Sequence, residues 1–156
     1  MKKEINQPNV WYNNAIIYHL YPLAFVDEKY ENNLAQPINR MDRIYQWFDH
    51  INDMNCNTIF FGPIFQSKSH GYDTKDFFSI DYRLGTNDDF QYLVKDLHNR
   101  NIKVIIDGVF NHVGRDFFAF KDLQINKENS IYKDWFYNIN FSQTSPYGDP
   151  FSYESW

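Results

Sequence analysis

Three short apolar runs, set at a near-constant interval, restrict the fold of this chain more than any other feature. Residues 15–20 (AIIYHL), 58–61 (TIFF) and 103–107 (KVIID) begin 43 and 45 residues apart. Between the first two, Ile44, Trp47, Phe48, Ile51 and Met54 recur at helical spacing, which predicts one helix over residues 41–54. Between the second and third, Phe90, Leu93, Val94 and Leu97 do the same. The order βαβαβ calls for parallel strands joined by right-handed crossovers. Two architectures use it, an open doubly wound sheet and a closed eight-stranded barrel. No glycine-rich phosphate loop follows the first run, which counts against a nucleotide-binding doubly wound sheet. A barrel needs eight such units, so on that reading the three here are part of a domain.

Punctuation supports the three strands. Pro22 stops the first, and Gly62-Pro63 closes the second. Asn55 and Asn57 end the first helix, and Asn101 the second, since Asn tolerates the left-handed conformation. Thr86 with Asp89 three residues later has the form of a capping box. Residues 64–84 read as a long loop, rich in aromatic and charged groups, of the kind that carries function. The third run halts at Asp107 and Gly108, and Asn111 and His112 follow. Polar groups at the carboxyl end of a buried parallel strand sit where ligands bind. The plainer alternative makes Asp107 a loop cap and His112 a structural histidine.

A net charge of −5 and a pI near 5.4 argue against nucleic acid or an acidic membrane surface as partner. Aromatic residues make up 20% of the chain; they suit stacking on sugar rings but also fill ordinary cores. With a single cysteine, Cys56, an intrachain disulfide is excluded. Glu4, Asn6, Gln7 and Pro8 stand where a signal peptide would be apolar, and no run is long enough to span a membrane, so a cytoplasmic setting is expected.

Ile17-Tyr-His-Leu-Tyr-Pro22, Gly62-Pro-Ile-Phe65, Gly71-Tyr-Asp73, Ile80-Asp-Tyr-Arg-Leu-Gly-Thr86 and Asp107-Gly-Val-Phe-Asn-His112, in this order and spacing, resemble the N-terminal part of the catalytic domain of the α-amylase family (glycoside hydrolase family 13). The likeness covers residues 16–112 in register. It implies an α/β fold of about three β/α units of a (β/α)8 barrel, plus the start of the insertion after the third strand. The expected division is a lead-in over residues 1–14, barrel units over 15–112, and a truncated inserted subdomain over 113–156. The phrase from Asp107 to Gly114 looks most like cyclomaltodextrinase, neopullulanase and maltogenic amylase members.

The resemblance further implies retaining cleavage of α-glucosidic bonds, with α-glucans, maltooligosaccharides or cyclodextrins as substrate. Tyr72 matches the aromatic that stacks on the sugar at the cleavage subsite, and Asp73 a neighbour that more often orients an arginine. His112 matches the histidine that hydrogen-bonds a sugar hydroxyl. Asp107 matches a supporting carboxylate whose arginine partner lies beyond this chain. Asn111 matches a position that binds structural calcium in many relatives; no cofactor is required, and calcium is left open. The remainder of the barrel is the expected partner, and a homodimer is compatible. His19 and Tyr21 either line the cleft or pack locally.

Departures from the family pattern narrow these expectations. Ser69 stands where the oligo-1,6-glucosidase-like members carry an Asp, which weakens an exo-glucosidase reading. The first loop lacks the acidic, glycine-rich calcium segment of some relatives. The family's nucleophile and acid/base carboxylates, about 5–5.5 Å apart in a retaining enzyme, come from later strands, so the fragment alone is expected to be inactive. Nothing in the spacing of Asp73, Asp81 and Asp107 proposes such a pair; each is expected at the surface or in support. A non-catalytic, sugar-binding member is the alternative. A transglycosylase or isomerase stays open within the family. A metal-dependent hydrolase built on His70, Asp107 and His112 lacks any His-x-His or His-Glu-x-x-His spacing.

Overall fold

The computed structural model describes residues 10–26 and 31–154. Most of the expected lead-in lies outside the described residues; Trp11–Asn14 form a 3₁₀ turn. Strands β1 (Ile17–Leu20), β2 (Thr58–Phe61) and β5 (Lys103–Ile106) form one parallel sheet in the order β1-β2-β5. The register pairs His19 with Phe60 and Phe60 with Ile105. One sheet face is apolar and helix-covered. Leu20, Ile59, Phe61 and Val104 pack there against Met41, Ile44, Phe48, Ile51, Leu93 and Leu97 from the helices α2 (Met41–Tyr45), α3 (Phe48–Asp53) and α4 (Asn87–Asn99). The opposite face carries Ile17, which is 50% exposed, and the His19 ring stacked on Phe60 at 4.7 Å.

Local chemistry explains most of the boundaries. The first strand starts at Ile17, two residues later than the apolar run. Pro22 ends it and opens a single turn of helix, α1 (Pro22–Phe25), where its missing N–H costs nothing. Asn55 and Asn101 take φ values of 57° and 60° as the helices close. Thr86 and Asp89 make the reciprocal capping box at the start of α4. The third strand ends at Ile106, and one further ladder bond, Asp107 N–H to the Phe61 carbonyl at 2.9 Å, holds the carboxylate-bearing residue against the sheet.

Three sequence expectations change. The single helix over residues 41–54 is two, because the chain tightens at Gln46-Trp47, where Trp47 N–H bonds back to Ile44. Trp47 turns outward against Phe25 and His50, and Met54 is exposed too, so neither joins the buried stripe. Residues 64–84 are not a plain loop. They contain an antiparallel hairpin, β3 (Phe65–Ser67) with β4 (Thr74–Ile80), whose register shifts hide the period-2 pattern. The tail adds structure that no periodicity marked. It forms α5 (Phe118–Asn126) and a second core of Phe117, Ala119, Phe120, Leu123 and Phe151. That helix has apolar residues on several sides, so no stripe announced it.

Candidate active-site edge

Because the three strands are parallel, their carboxyl ends share one edge, and Tyr21, Gly62 and Asp107 follow directly from them. Gly62 N–H donates to the Leu20 carbonyl at 2.8 Å. Its missing side chain leaves room for Tyr21, since a Cβ there would lie 3.2 Å from that ring. Tyr21 donates its hydroxyl to the His70 carbonyl and stacks near-parallel on Tyr72, with centroids 6.3 Å apart and planes 17° apart. Burial, then the neighbouring Tyr72, pushes the Tyr21 phenol up from its ordinary value.

The hairpin turn carries Tyr72. Gly71, at φ 92°, lets the turn press on Pro63 and Leu23, where a Cβ would come within 3.1 and 3.3 Å. Asp73 closes the same turn: its carboxylate accepts from Ser69 N–H at 3.1 Å and from Ser69 Oγ at 2.6 Å. Tyr72 N–H reaches His70 Nδ1 at 3.2 Å, a contact that needs Nδ1 unprotonated. His70 Nδ1 also lies 3.9 Å from the Asp73 carboxylate. The Tyr72 ring remains 40% exposed.

The segment after β5 returns to this turn. Gly114 N–H donates to the Thr74 carbonyl at 2.7 Å, so residues 108–114 come back to Tyr72-Asp73. His112 and Asn111 are exposed, with Asn111 Nδ2 3.5 Å from His112 Nδ1. Asp107 is half-buried, and its carboxylate has no hydrogen-bond or ion-pair partner among the described residues. The structure therefore brings Tyr72 and Asp73 together in one turn, with the Asp107–His112 segment tied to it. Asn111 supplies a single amide oxygen where calcium takes six to eight, so alone it does not make a calcium site. Among the described residues no three His, Cys, Asp or Glu side chains gather as metal ligands.

Two polar clusters stand apart from this edge. Asp81 and Arg83, 0% and 1% exposed, form a buried ion pair with two bonds of 2.8 Å, so of the two positions expected for Asp81 it does not take the surface one. Ser67 and Asn32 add further bonds and weld the hairpin to the preceding loop. In the tail, Asp149 receives Arg115 at 2.6 and 2.7 Å, Ser145 Oγ at 2.6 Å, Gln124 at 2.6 Å and Tyr153 at 3.1 Å. Burial alone would raise the Asp149 carboxyl, but these donors bring it down to about 2. Arg115 and Asp149 are 34 residues apart, so no local pattern could have paired them, whereas Asp81 and Arg83 stand two residues apart within the Ile80–Thr86 motif.

A helix-backed parallel sheet with aromatic, imidazole and carboxylate groups at its carboxyl edge defines part of an α/β-barrel enzyme fold. The chain belongs to the α-amylase family: the family model described as alpha amylase, catalytic domain, matches residues 19–156. It is similar to a cyclomaltodextrinase from a Bacillus species, 34% identical over 149 residues that cover 86% of this chain and 27% of that protein. Neopullulanase 2 of Thermoactinomyces vulgaris is 35% identical over 164 residues, 92% of this chain and 28% of that one. Among solved structures, the cyclic alpha-maltosyl-(1→6)-maltose hydrolase from Arthrobacter globiformis superposes with a TM-score of 0.74 at 30% identity, covering 93% of this chain and 36% of that one. The chain thus spans about a quarter of the length of the curated relatives it matches. Its three parallel strands, with their helices, are part of a (β/α)8 barrel.

Proposed function

We propose that this chain is the sugar-gripping part of a glycoside hydrolase that cleaves α-glucosidic bonds of starch-like glucans, maltooligosaccharides or cyclodextrins with retention of configuration. The observation that carries this reading is Tyr72, held flat and exposed at the carboxyl edge of the sheet by Tyr21, with the Asp107–His112 segment tied to the same turn. An exposed ring of this kind offers an apolar face to a pyranose. His112 would donate to a sugar hydroxyl, a contact that strengthens as charge develops in the transition state. Asp107 would receive a cationic partner from outside the described residues and hold that partner toward the substrate. The names of the relatives, a cyclomaltodextrinase and a neopullulanase, support this substrate class.

Retaining hydrolysis needs two carboxylates about 5–5.5 Å apart, one a nucleophile and one an acid/base. Asp73, Asp81 and Asp149 are each committed to local donors, which speaks against a pair among them. The nucleophile and the acid/base are therefore assigned outside the 156 residues, and the chain alone is expected to be inactive. The same commitment favours the second reading, a sugar-binding protein without hydrolysis. Protein from the complete gene, given cyclodextrins, pullulan and starch, separates the two. Release of α-anomeric products, followed by NMR, supports the hydrolase; sugar binding without product supports the second reading; neither binding nor product overturns both.

A further inference from the structure

We infer that Tyr21 is a positioning residue, which sets the plane and height of Tyr72 and so the depth at which a glucosyl ring is held. Three contacts from two segments, the end of β2 and the hairpin turn, fix Tyr21. Gly62, at the end of β2, leaves the space its ring occupies, with a Cβ-to-ring separation of only 3.2 Å. The His70 carbonyl, in the hairpin turn, accepts its hydroxyl. The Tyr72 ring lies along its face at 6.3 Å and 17°. The first two contacts anchor Tyr21 to the sheet and to the turn, and the third passes that rigidity to Tyr72.

Tyr72 needs such support. Its backbone belongs to a turn built around Gly71, the residue is 40% exposed, and its other ring neighbour, His70, lies at 6.0 Å but is tilted by 38°, so only Tyr21 is near-parallel to it. An exposed ring without a backing neighbour samples several rotamers, and binding then has to immobilise it. With Tyr21 behind it, the ring presents one face outward and needs little ordering. Tyr21 touches no sugar on this account; it acts through Tyr72 alone.

This inference rests on the glucan reading of the site, and a double-mutant cycle separates the two. Protein from the complete gene would be compared as wild type, Tyr21→Ala, Tyr21→Phe, Tyr72→Ala and Tyr21→Ala/Tyr72→Ala, with KM and kcat for maltotriose hydrolysis and calorimetric Kd for α-cyclodextrin. Tyr21→Ala is expected to lower kcat/KM and weaken α-cyclodextrin binding up to about tenfold, the scale of ordering one freed side chain on binding. Tyr21→Phe, which keeps the stack and loses only the hydroxyl tie, should recover most of that loss. In the Tyr72→Ala background, Tyr21→Ala should cost almost nothing more, because the two residues act as one unit. Additive losses, or a Tyr21→Ala protein that binds and cleaves like wild type, would overturn the positioning role and leave the glucan reading standing. A Tyr72→Ala protein as active as wild type would overturn both the stacking role and this inference.

Discussion

At Gly114 one methyl group decides whether the site segment can meet the hairpin turn. Its N–H bonds to the Thr74 carbonyl at 2.7 Å, and an added Cβ would fall on the Asp73 carbonyl, 2.9 Å from the carbon itself. Neither partner is a side chain that can swing away, since both are backbone. Gly114→Ala should therefore shift residues 108–114 off the turn, lowering stability by about 1–3 kcal/mol and weakening sugar binding more than proportionately. Thermal melts beside cyclodextrin titrations would check this; a variant with unchanged melt and affinity would contradict the close-approach argument. Ser69 works at the same scale: it binds the Asp73 carboxylate that closes the turn, in the position where other family members were expected to carry an acid.

At the scale of elements, the β3–β4 hairpin is tied down by a buried ion pair at its base. Arg83 and Asp81 are buried together, and removing one leaves the other uncompensated at a cost of about 3–5 kcal/mol. Arg83→Met should thus lower the melting temperature sharply. Asp81→Asn added to it should restore part of the loss, because the orphaned charge goes with it. The loop from Ser145 to Tyr153 is pinned to α5 in a different way, by the Asp149 cluster. Its carboxyl sits at about 2 in the folded state, against an ordinary 3.8. That stabilisation is fully present above the unfolded value and is lost as pH falls from about 4 toward about 2. The shift corresponds to about 2 kcal/mol. Asp149→Asn should lose that amount at neutral pH and flatten the acid limb of a stability-versus-pH curve; an unchanged acid limb would show that Asp149 does not govern it.

For the whole molecule, the sheet is the main consideration. Among the described residues, β1 and β5 each have one edge that pairs with no strand. The face opposite the helices leaves Ile17 half-exposed and the His19–Phe60 stack against solvent. Unpaired edges beside an apolar face recruit other chains. The 156 residues expressed by themselves should therefore self-associate or aggregate, as sedimentation velocity would reveal. A monomer with a cooperative melt would show that this unit is self-sufficient.

The three strands, the helix-capping residues and the strand-end carboxylate were legible because each rests on local rules. β-Branched runs, 3.6-residue periodicity, Asn at left-handed positions and the Thr86–Asp89 box act within a few residues of chain. Tyr72, Asp73, Asp107 and His112 were singled out by motif order alone; Asp107 directly follows the third strand, and Gly114 bonds the chain beyond His112 to Thr74, beside the turn that carries Tyr72 and Asp73. The hairpin in residues 64–84 was hidden because register shifts break its alternation, and α5 because its apolar residues do not form a single stripe. The sequence by itself determined the parallel βαβαβ order and which residues end each strand, since those follow from short-range sterics and hydrogen bonding. Only the tertiary structure decided that Tyr21 stands behind Tyr72, that Asp81 and Arg83 are buried together, and that Arg115 meets Asp149. Tyr21–Tyr72 and Arg115–Asp149 join separate segments, and the burial of the neighbouring Asp81 and Arg83 depends on what packs over them, which no spacing along the chain encodes.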